Sequence, residues 1–238
     1  MQKPIIFNLI ENHQIKNNND LIDYIENNPA CLKETFKCYN IFTYSAQFCN
    51  GSLNCIIDFI NSSNKKDYID IESTDLNGNN ALHISCMNYK FNNTKFLLEN
   101  GFNPNSVNKN KKSPLILLIE KSNHLNNKNI IMNFVYLLVH YNVNLNIDNI
   151  IDRAVLYRIN PLIIFLLQKK VTLSNYAKNY FQNNRKYNNY ILKYYKKNKK
   201  ENEYYKSIKD FYKNFVLYEC PLTSEIFYNK MLLYKLHH

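Results

Sequence analysis

Glycine and proline are scarce in this chain of 238 residues, with three Gly and six Pro, and Trp is absent. So few turn-forming residues argue against a loop-rich or all-β protein. Three scattered glycines cannot build a Gly-rich phosphate-binding loop. No apolar stretch approaches the roughly 18 residues that a membrane span needs. Hydrophobic residues still make up 45% of the chain, which predicts a helical protein with an ordinary core and no membrane contact.

Catalytic and metal-binding patterns are also missing. None of the six cysteines forms a Cys-x-x-Cys pair, and no His, Cys, Asp and Glu group has metal-ligand spacing. No Ser is partnered by a His in a recognisable motif, so we expect no enzyme activity and no cofactor. The apolar run after Met1 is too short for a signal peptide. We therefore expect reduced core cysteines in a cytoplasmic protein, with the nucleus as an alternative.

The net charge of +11 is unevenly placed. Residues 1–174 carry 17 basic and 14 acidic side chains, whereas residues 175–238 carry 13 and 5. Such a basic tail is typical of a protein that binds nucleic acid or an acidic membrane surface, or of a solvated, Lys-coated helical face. The second interpretation is favoured, because nearly all the basic residues are Lys and the tyrosines among them have helical spacing. Nucleic-acid binding stays open as an alternative function.

One segment recurs along the chain. It begins at Asp75-Leu76-Asn77-Gly78-Asn79-Asn80-Ala81-Leu82-His83 and ends at Leu97-Leu98-Glu99-Asn100-Gly101. Ser113-Pro114-Leu115-Ile116 repeats its helix start after 33 residues, and Leu138 to Asn142 repeats its end after 41. About eight residues, 122–129, are therefore inserted. Weaker copies lie at 151–174 and 51–72, and residues 5–36 form a degenerate first copy.

This pattern resembles the ankyrin repeat over its full length. The resemblance implies an all-α ankyrin-repeat solenoid of about four to five repeats, some degenerate, with C-terminal capping helices. It also implies that His83 binds backbone between neighbouring loops, an interpretation we favour over a metal or catalytic role. Asp75 and Gly78 suit a tight turn, and Gly101 and Asn142 suit the left-handed end of a helix. The positions that carry the pattern are Asp75, Gly78, Leu82, His83, Leu97, Leu98, Gly101, Pro114, Leu115, Leu137, Leu138 and Asn142.

Three regions follow from this pattern. Residues 1–39 are a degenerate N-terminal repeat or cap, residues 40–174 are ankyrin repeats, and residues 175–238 are a basic, Tyr-rich helical segment. A helical cap on the last repeat is the simplest interpretation of that segment, because a solenoid needs a polar end. Cys220-Pro221-Leu222-Thr223-Ser224-Glu225-Ile226 is similar to PRANC, a shortened F-box that ends poxvirus ankyrin proteins, with Pro and Leu in the opposite order.

The PRANC resemblance implies a poxvirus host-range protein; intracellular bacteria and AT-rich protists remain alternative sources. It implies that Pro221, Leu222, Ile226 and Met231 bind the linker subunit of a cullin-based ubiquitin ligase, for which the chain would be a substrate adaptor. The leading hypothesis is simpler: a protein-binding module that modulates a host protein of unknown identity, in the host cytoplasm if the chain is viral. Turn-tip residues would make the contacts, namely Asn77, Asn79, Asn80, Lys109, Asn110, Lys111 and Lys112.

Overall fold

The computed structural model describes residues 3–12, 19–48, 51–62, 72–125, 128–146, 149–169 and 171–183. The regular secondary structure of these residues is almost entirely helical, and eleven α-helices lie within them. The chain divides into two compact units, residues 1–118 and 119–238. The predicted all-α repeat architecture is confirmed for this part of the chain. The predicted capping helices beyond residue 183 lie outside it.

The first unit is built from helix pairs. Its helices are α1 (Ile5–Asn12), α2 (Asn19–Asn27), α3 (Ile41–Ser45), α4 (Ser52–Ser62), α5 (Ala81–Met87) and α6 (Phe91–Glu99). A 3-10 helix, Pro29–Lys33, precedes a small antiparallel hairpin of β1 (Thr35–Phe36) and β2 (Tyr39–Asn40). Helix α7 (Pro114–Lys121) contains the boundary between the two units.

Two layers of helices form the core of the first unit. The first helices of successive pairs contact one another, α1 with α3 and α3 with α5, and the second helices do the same, α2 with α4 and α4 with α6. Phe7, Phe42, Leu53, Ile56 and Leu97 are at most 1% exposed. One pair cannot bury its apolar face alone, so stacking supplies the hydrophobic stabilisation.

The second unit repeats the arrangement with α8 (Asn129–His140), α9 (Ile150–Leu156), α10 (Asn160–Gln168) and α11 (Asn175–Asn183). Helix α10 packs on α8, and α11 packs on α9. A 3-10 turn, Ser122–His124, lies in the stretch that the sequence analysis identified as an insertion. None of the helices in the described ranges has the length and apolar character needed to cross a bilayer.

A recurring cap begins the first helix of several pairs. The Asn80 side chain accepts a hydrogen bond from the His83 backbone N–H, and Asn40 accepts one from Thr43. Ser113 and Ser174 do the same for Ile116 and Ala177, respectively. Each cap provides a partner for an N–H group that the helix leaves unsatisfied, and is worth on the order of 1 kcal/mol.

Helices α6 and α8, the second helices of their pairs, end in Schellman turns. The N–H of Phe102 donates to the Leu97 carbonyl, and that of Gly101 donates to the Leu98 carbonyl. Val143 and Asn142 make the equivalent bonds to Leu138 and Val139. Gly101 has φ 85° and Asn142 has φ 61°, the left-handed conformation that Gly and Asn adopt most readily. The chain is thereby turned towards the next loop.

Candidate functional site

The loop before α5 is organised by the buried carboxylate of Asp75. It accepts hydrogen bonds from the backbone N–H groups of Asn77 and Asn79, both at 2.8 Å, and from the Asn79 side chain at 3.0 Å. Gly78 completes the turn with φ 78° and donates to the Asp75 carbonyl at 2.9 Å. The carboxylate is therefore engaged inside the loop, and Leu76 and Asn77 are left exposed at its tip.

The next loop repeats this geometry with different residues. Asn108, 33 positions after Asp75, accepts from the backbone N–H groups of Asn110 and Lys112, both at 3.0 Å. Lys111 stands where Gly78 stands in the preceding loop and has φ 57°. Lys109, Asn110 and Lys111 are exposed at this second tip.

Backbone hydrogen bonds join three successive loops side by side. The Leu76 N–H donates to the Cys38 carbonyl, and the Lys109 N–H donates to the Asn77 carbonyl, both at 3.1 Å. Lys37, exposed with φ 56°, is at the tip of the β1–β2 hairpin. We call the exposed row formed by these tips the tip ridge. It comprises Lys37, Leu76, Asn77, Lys109, Asn110 and Lys111.

Positive charge and one apolar side chain characterise the tip ridge. Leu76 is 69% exposed, so its side chain is available for contact with a partner. The Lys109 ammonium donates to the Leu76 carbonyl at 2.9 Å, so it is held beside the middle loop. The nearby Asp75 carboxylate faces inward and is 5% exposed. The ridge therefore presents three lysines to solvent without an acidic side chain among its six residues.

Comparisons with known proteins agree on the repeat. The family model "Ankyrin repeats (3 copies)" matches residues 42–149. The crystal structure of the ankyrin repeat domain of Bcl-3, described as a unique member of the IkappaB protein family, is similar with a TM-score of 0.56. That match is 16% identical and covers 72% of each chain.

The fold is an ankyrin-repeat fold. No curated protein matches the chain in sequence. The structural likeness, at such low identity, concerns the fold. Functional statements about this ankyrin array therefore rest on its own side chains.

Two of the predicted contact residues of the ankyrin array need correction. Asn79 and Asn80 are only 6% and 2% exposed. Asn79 binds Asp75 and accepts from the Asn108 side chain at 2.8 Å, and Asn80 caps α5 and donates to Ser106. Both side-chain amides form hydrogen bonds inside the array, so Asn79 and Asn80 stabilise the loops and do not face a partner. Lys112 is half-buried, whereas Asn77, Lys109, Asn110 and Lys111 are exposed.

Lys37 is a ridge residue that sequence reasoning missed. The hairpin tip Phe36-Lys37-Cys38-Tyr39 has neither the Asp nor the Gly that marks the next loop. One signal was available, because Asn40-x-x-Thr43 has the same cap spacing as Asn80-x-x-His83 and places a loop just before residue 40.

The ligase-binding candidates Pro221, Leu222, Ile226 and Met231 lie outside the described residues. Within those residues, no group of three His, Cys, Asp or Glu side chains could hold a metal ion. Cys31 and Cys86 are buried thiols in the core. Burial raises the pKa of the Cys86 thiol to about 12.

His83 binds two successive loops of the array as a neutral imidazole. Its Nε2 lies 3.1 Å from the Lys112 carbonyl oxygen, and its Nδ1 lies 3.3 Å from the Asn80 backbone nitrogen and 2.7 Å from the Asn80 side-chain oxygen. With the proton assigned to Nε2, the ring donates to the Lys112 carbonyl and accepts from the Asn80 N–H. The side chain is 1% exposed, and burial lowers its pKa from 6.5 to about 4. Protonation would place a desolvated charge between the loops that support the tip ridge.

We expect the array to lose stability in mild acid through His83. Between pH 6.5 and about 4 the unfolded chain binds a proton that the folded chain does not, so the free energy of unfolding falls as the pH falls. The loss amounts to about 1.4 kcal/mol for each pH unit below 6.5, so it is about 2 kcal/mol between pH 7 and pH 5. Urea unfolding at both pH values measures it. The His83→Gln variant should be less stable than wild type at pH 7, but its free energy of unfolding should fall clearly less between pH 7 and pH 5. An equal fall in variant and wild type would exclude His83 as the cause.

Proposed function

We propose that the tip ridge binds an acidic surface of another protein. Ankyrin repeats are protein–protein interaction modules, and this chain has that fold. The observation that carries the proposal is the row of three exposed lysines, Lys37, Lys109 and Lys111, on loops joined by backbone hydrogen bonds. Because the loops are fixed in relation to one another, little backbone entropy is lost on binding, and the entropic cost is confined to the lysine side chains.

Leu76 adds the apolar component that such an interface needs. Lysines at the rim of an interface mainly steer association and affect its rate, whereas buried apolar anchors supply most of the affinity. Leu76 lies on the loop between the lysine-bearing ones and is largely exposed. The ridge is therefore suited to a partner with an apolar pocket bordered by carboxylates.

Charge reversal on the ridge tests this proposal. We expect the Lys109→Glu/Lys111→Glu variant to bind the partner at least about tenfold more weakly at low salt, mainly through a slower association rate. The partner is first identified by affinity capture with the full chain and mass spectrometry. Its affinity is then measured with purified proteins at two salt concentrations, since raised salt should reduce the difference between variants.

The matched control reverses two exposed lysines away from the ridge, Lys33→Glu/Lys121→Glu, which changes the net charge equally. It should bind within about twofold of wild type. Equal weakening in both variants would show a general charge effect and would contradict the ridge assignment. Tight RNA or DNA binding that is released by salt and unchanged in the ridge variant would instead support the alternative function, a nucleic-acid binder acting through the basic tail, residues 175–238.

The finer assignments remain predictions from the sequence. We propose a host protein as the partner, in the cytoplasm or nucleus of an infected cell, because the repeat pattern and the C-terminal segment resemble poxvirus ankyrin proteins. Recruitment of a cullin ligase rests on Pro221, Leu222, Ile226 and Met231 alone. The ridge proposal does not depend on either assignment.

A further inference from the structure

Aromatic rings converge on Tyr44 in the first helix pair and its hairpin. The Phe7 ring centroid lies 4.8 Å from that of Tyr44 in an edge-to-face arrangement, and Phe36 and Tyr39 follow at 6.3 and 6.1 Å. Phe48 lies at 5.4 Å. Phe7 is fully buried and Tyr44 is 7% exposed. The rings therefore form a wall in which core packing fixes Phe7 and Tyr44, while the half-buried Phe36, Tyr39 and Phe48 lie against them.

The ammonium group of Lys3 lies against this wall. Its Nζ is 5.8 Å from the Phe36 ring centroid and 5.6 Å from the Tyr44 centroid, and 2.5 Å from Glu11 Oε2. The Tyr44 hydroxyl donates to the other oxygen of the same carboxylate, which fixes its orientation. One cation is thus held by a carboxylate, the Tyr44 hydroxyl and two nearby aromatic rings. Aromatic rings beside a cation are the feature by which proteins recognise alkylammonium groups.

We propose that Phe36, Tyr44 and Glu11 form a binding site for a lysine ammonium group, which Lys3 occupies within the chain and which a lysine of another peptide can take. We call it the ammonium site. An exposed ion pair is worth little by itself and requires neither ring. Here a ring wall built on the core and an oriented carboxylate surround a single Nζ atom.

The position of Lys3 makes exchange feasible. Lys3 precedes Ile5, the first residue of α1, so its side chain can leave without unwinding the helix. Glu11 lies within α1, Tyr44 within α3 and Phe36 on β1, so the three site residues stay in place when Lys3 leaves. Lys37, whose Nζ is 5.3 Å from the Phe36 centroid, is on the rim and belongs to the tip ridge.

The carboxylate predicts which lysine states fit best. Glu11 accepts an N–H from the ammonium group, so the ligand must keep at least one N–H. Methyl groups increase contact with the rings and lower the cost of removing the cation from water. Mono- and dimethyl-lysine combine both properties, whereas trimethyl-lysine has no N–H to donate. We expect the site to prefer the two lower methylation states.

Occupation by Lys3 should lower the apparent affinity for an external lysine, because an intramolecular ligand competes at high effective concentration. We expect Lys3→Ala to bind N-acetyl-dimethyl-lysine methylamide about tenfold more tightly than wild type. Binding to this site is measured by titrating the full chain with the ligand and following the NMR signals of the aromatic ring protons. Binding should weaken for the trimethyl form and for the neutral acetyl-lysine form.

Two second-site variants distinguish a ligand-binding site from an intramolecular contact that only stabilises the fold. In the Lys3→Ala background, Glu11→Gln keeps the shape but removes the charge, and Phe36→Leu keeps apolar volume but removes the ring. Both should lose at least about fivefold in affinity, while the thermal midpoint stays close to that of Lys3→Ala. Lys33→Ala, at an exposed lysine of the same unit, should bind like wild type. If Lys3→Ala binds no tighter than wild type, or if neither second-site variant weakens binding, the Lys3 contacts only stabilise the fold and the proposal is wrong.

Discussion

Leu97→Asp is expected to unfold most of the first unit at neutral pH, at a cost of at least about 4 kcal/mol. Leu97 is fully buried in α6, which packs on both α5 and α4. A carboxylate at this fully buried position would lose its hydration, which costs several kcal/mol unless a cation pairs with it, and a whole domain is stable by only about 5–15 kcal/mol. Urea unfolding followed by far-UV circular dichroism measures the loss.

The effect should spread beyond α6. Each repeat is stabilised mainly by its neighbours, so the helical signal of α4 and α5 should decrease as well. Leu97→Met is the matched control, because it conserves volume and should cost less than about 1.5 kcal/mol. If both variants unfolded at the wild-type midpoint, α6 would not bury this face in solution and the repeat register would be wrong.

The helix pairs could be predicted from the sequence because their signals are local. A turn, a helix start, two adjacent leucines and a closing Gly or Asn recur within about 30 residues. Those signals report backbone geometry, which neighbouring residues determine. The structure accordingly places Gly101 and Asn142 at positive φ and Pro114 at the start of α7.

The role of each loop asparagine could not be predicted in the same way. Asn77 and Asn79 are two residues apart and chemically identical, yet one is exposed and the other is buried. The difference depends on Asn108, 29 residues later, whose side chain donates to Asn79. Sequence alone does not show which asparagine has such a partner. The sequence analysis therefore predicted buried asparagines as contact residues.

The ammonium site was missed for a related reason. Its residues come from α1, the β1–β2 hairpin and α3, so Glu11 and Tyr44 are 33 positions apart. Each of them taken singly is an ordinary charged or aromatic residue. Only stacking of the first two helix pairs brings them together around one cation.

A comparison of two glycines is expected to separate backbone strain from steric clash. Gly78 and Gly101 both have positive φ, 78° and 85°, so Ala at either position incurs the left-handed penalty of about 1–2 kcal/mol. Their surroundings differ. A Cβ on Gly78 would lie 2.7 Å from the Lys109 backbone nitrogen and 2.9 Å from its Cγ, whereas a Cβ on Gly101 would meet nothing within 4 Å.

Gly101→Ala should therefore lower the free energy of unfolding by about 1 kcal/mol, and Gly78→Ala by about 3 kcal/mol or more. The extra loss arises because the next loop packs against Gly78 through the Lys109–Asn77 backbone hydrogen bond. Asn provides a second comparison, since it tolerates positive φ but still carries a Cβ. Gly101→Asn should be nearly neutral, because Asn142 adopts the same conformation at the equivalent position. Gly78→Asn should remain costly. Urea unfolding at 25 °C measures all four variants. Equal losses at the two positions would mean that the loops are not in contact at Gly78, and the continuous tip ridge would then have no structural support.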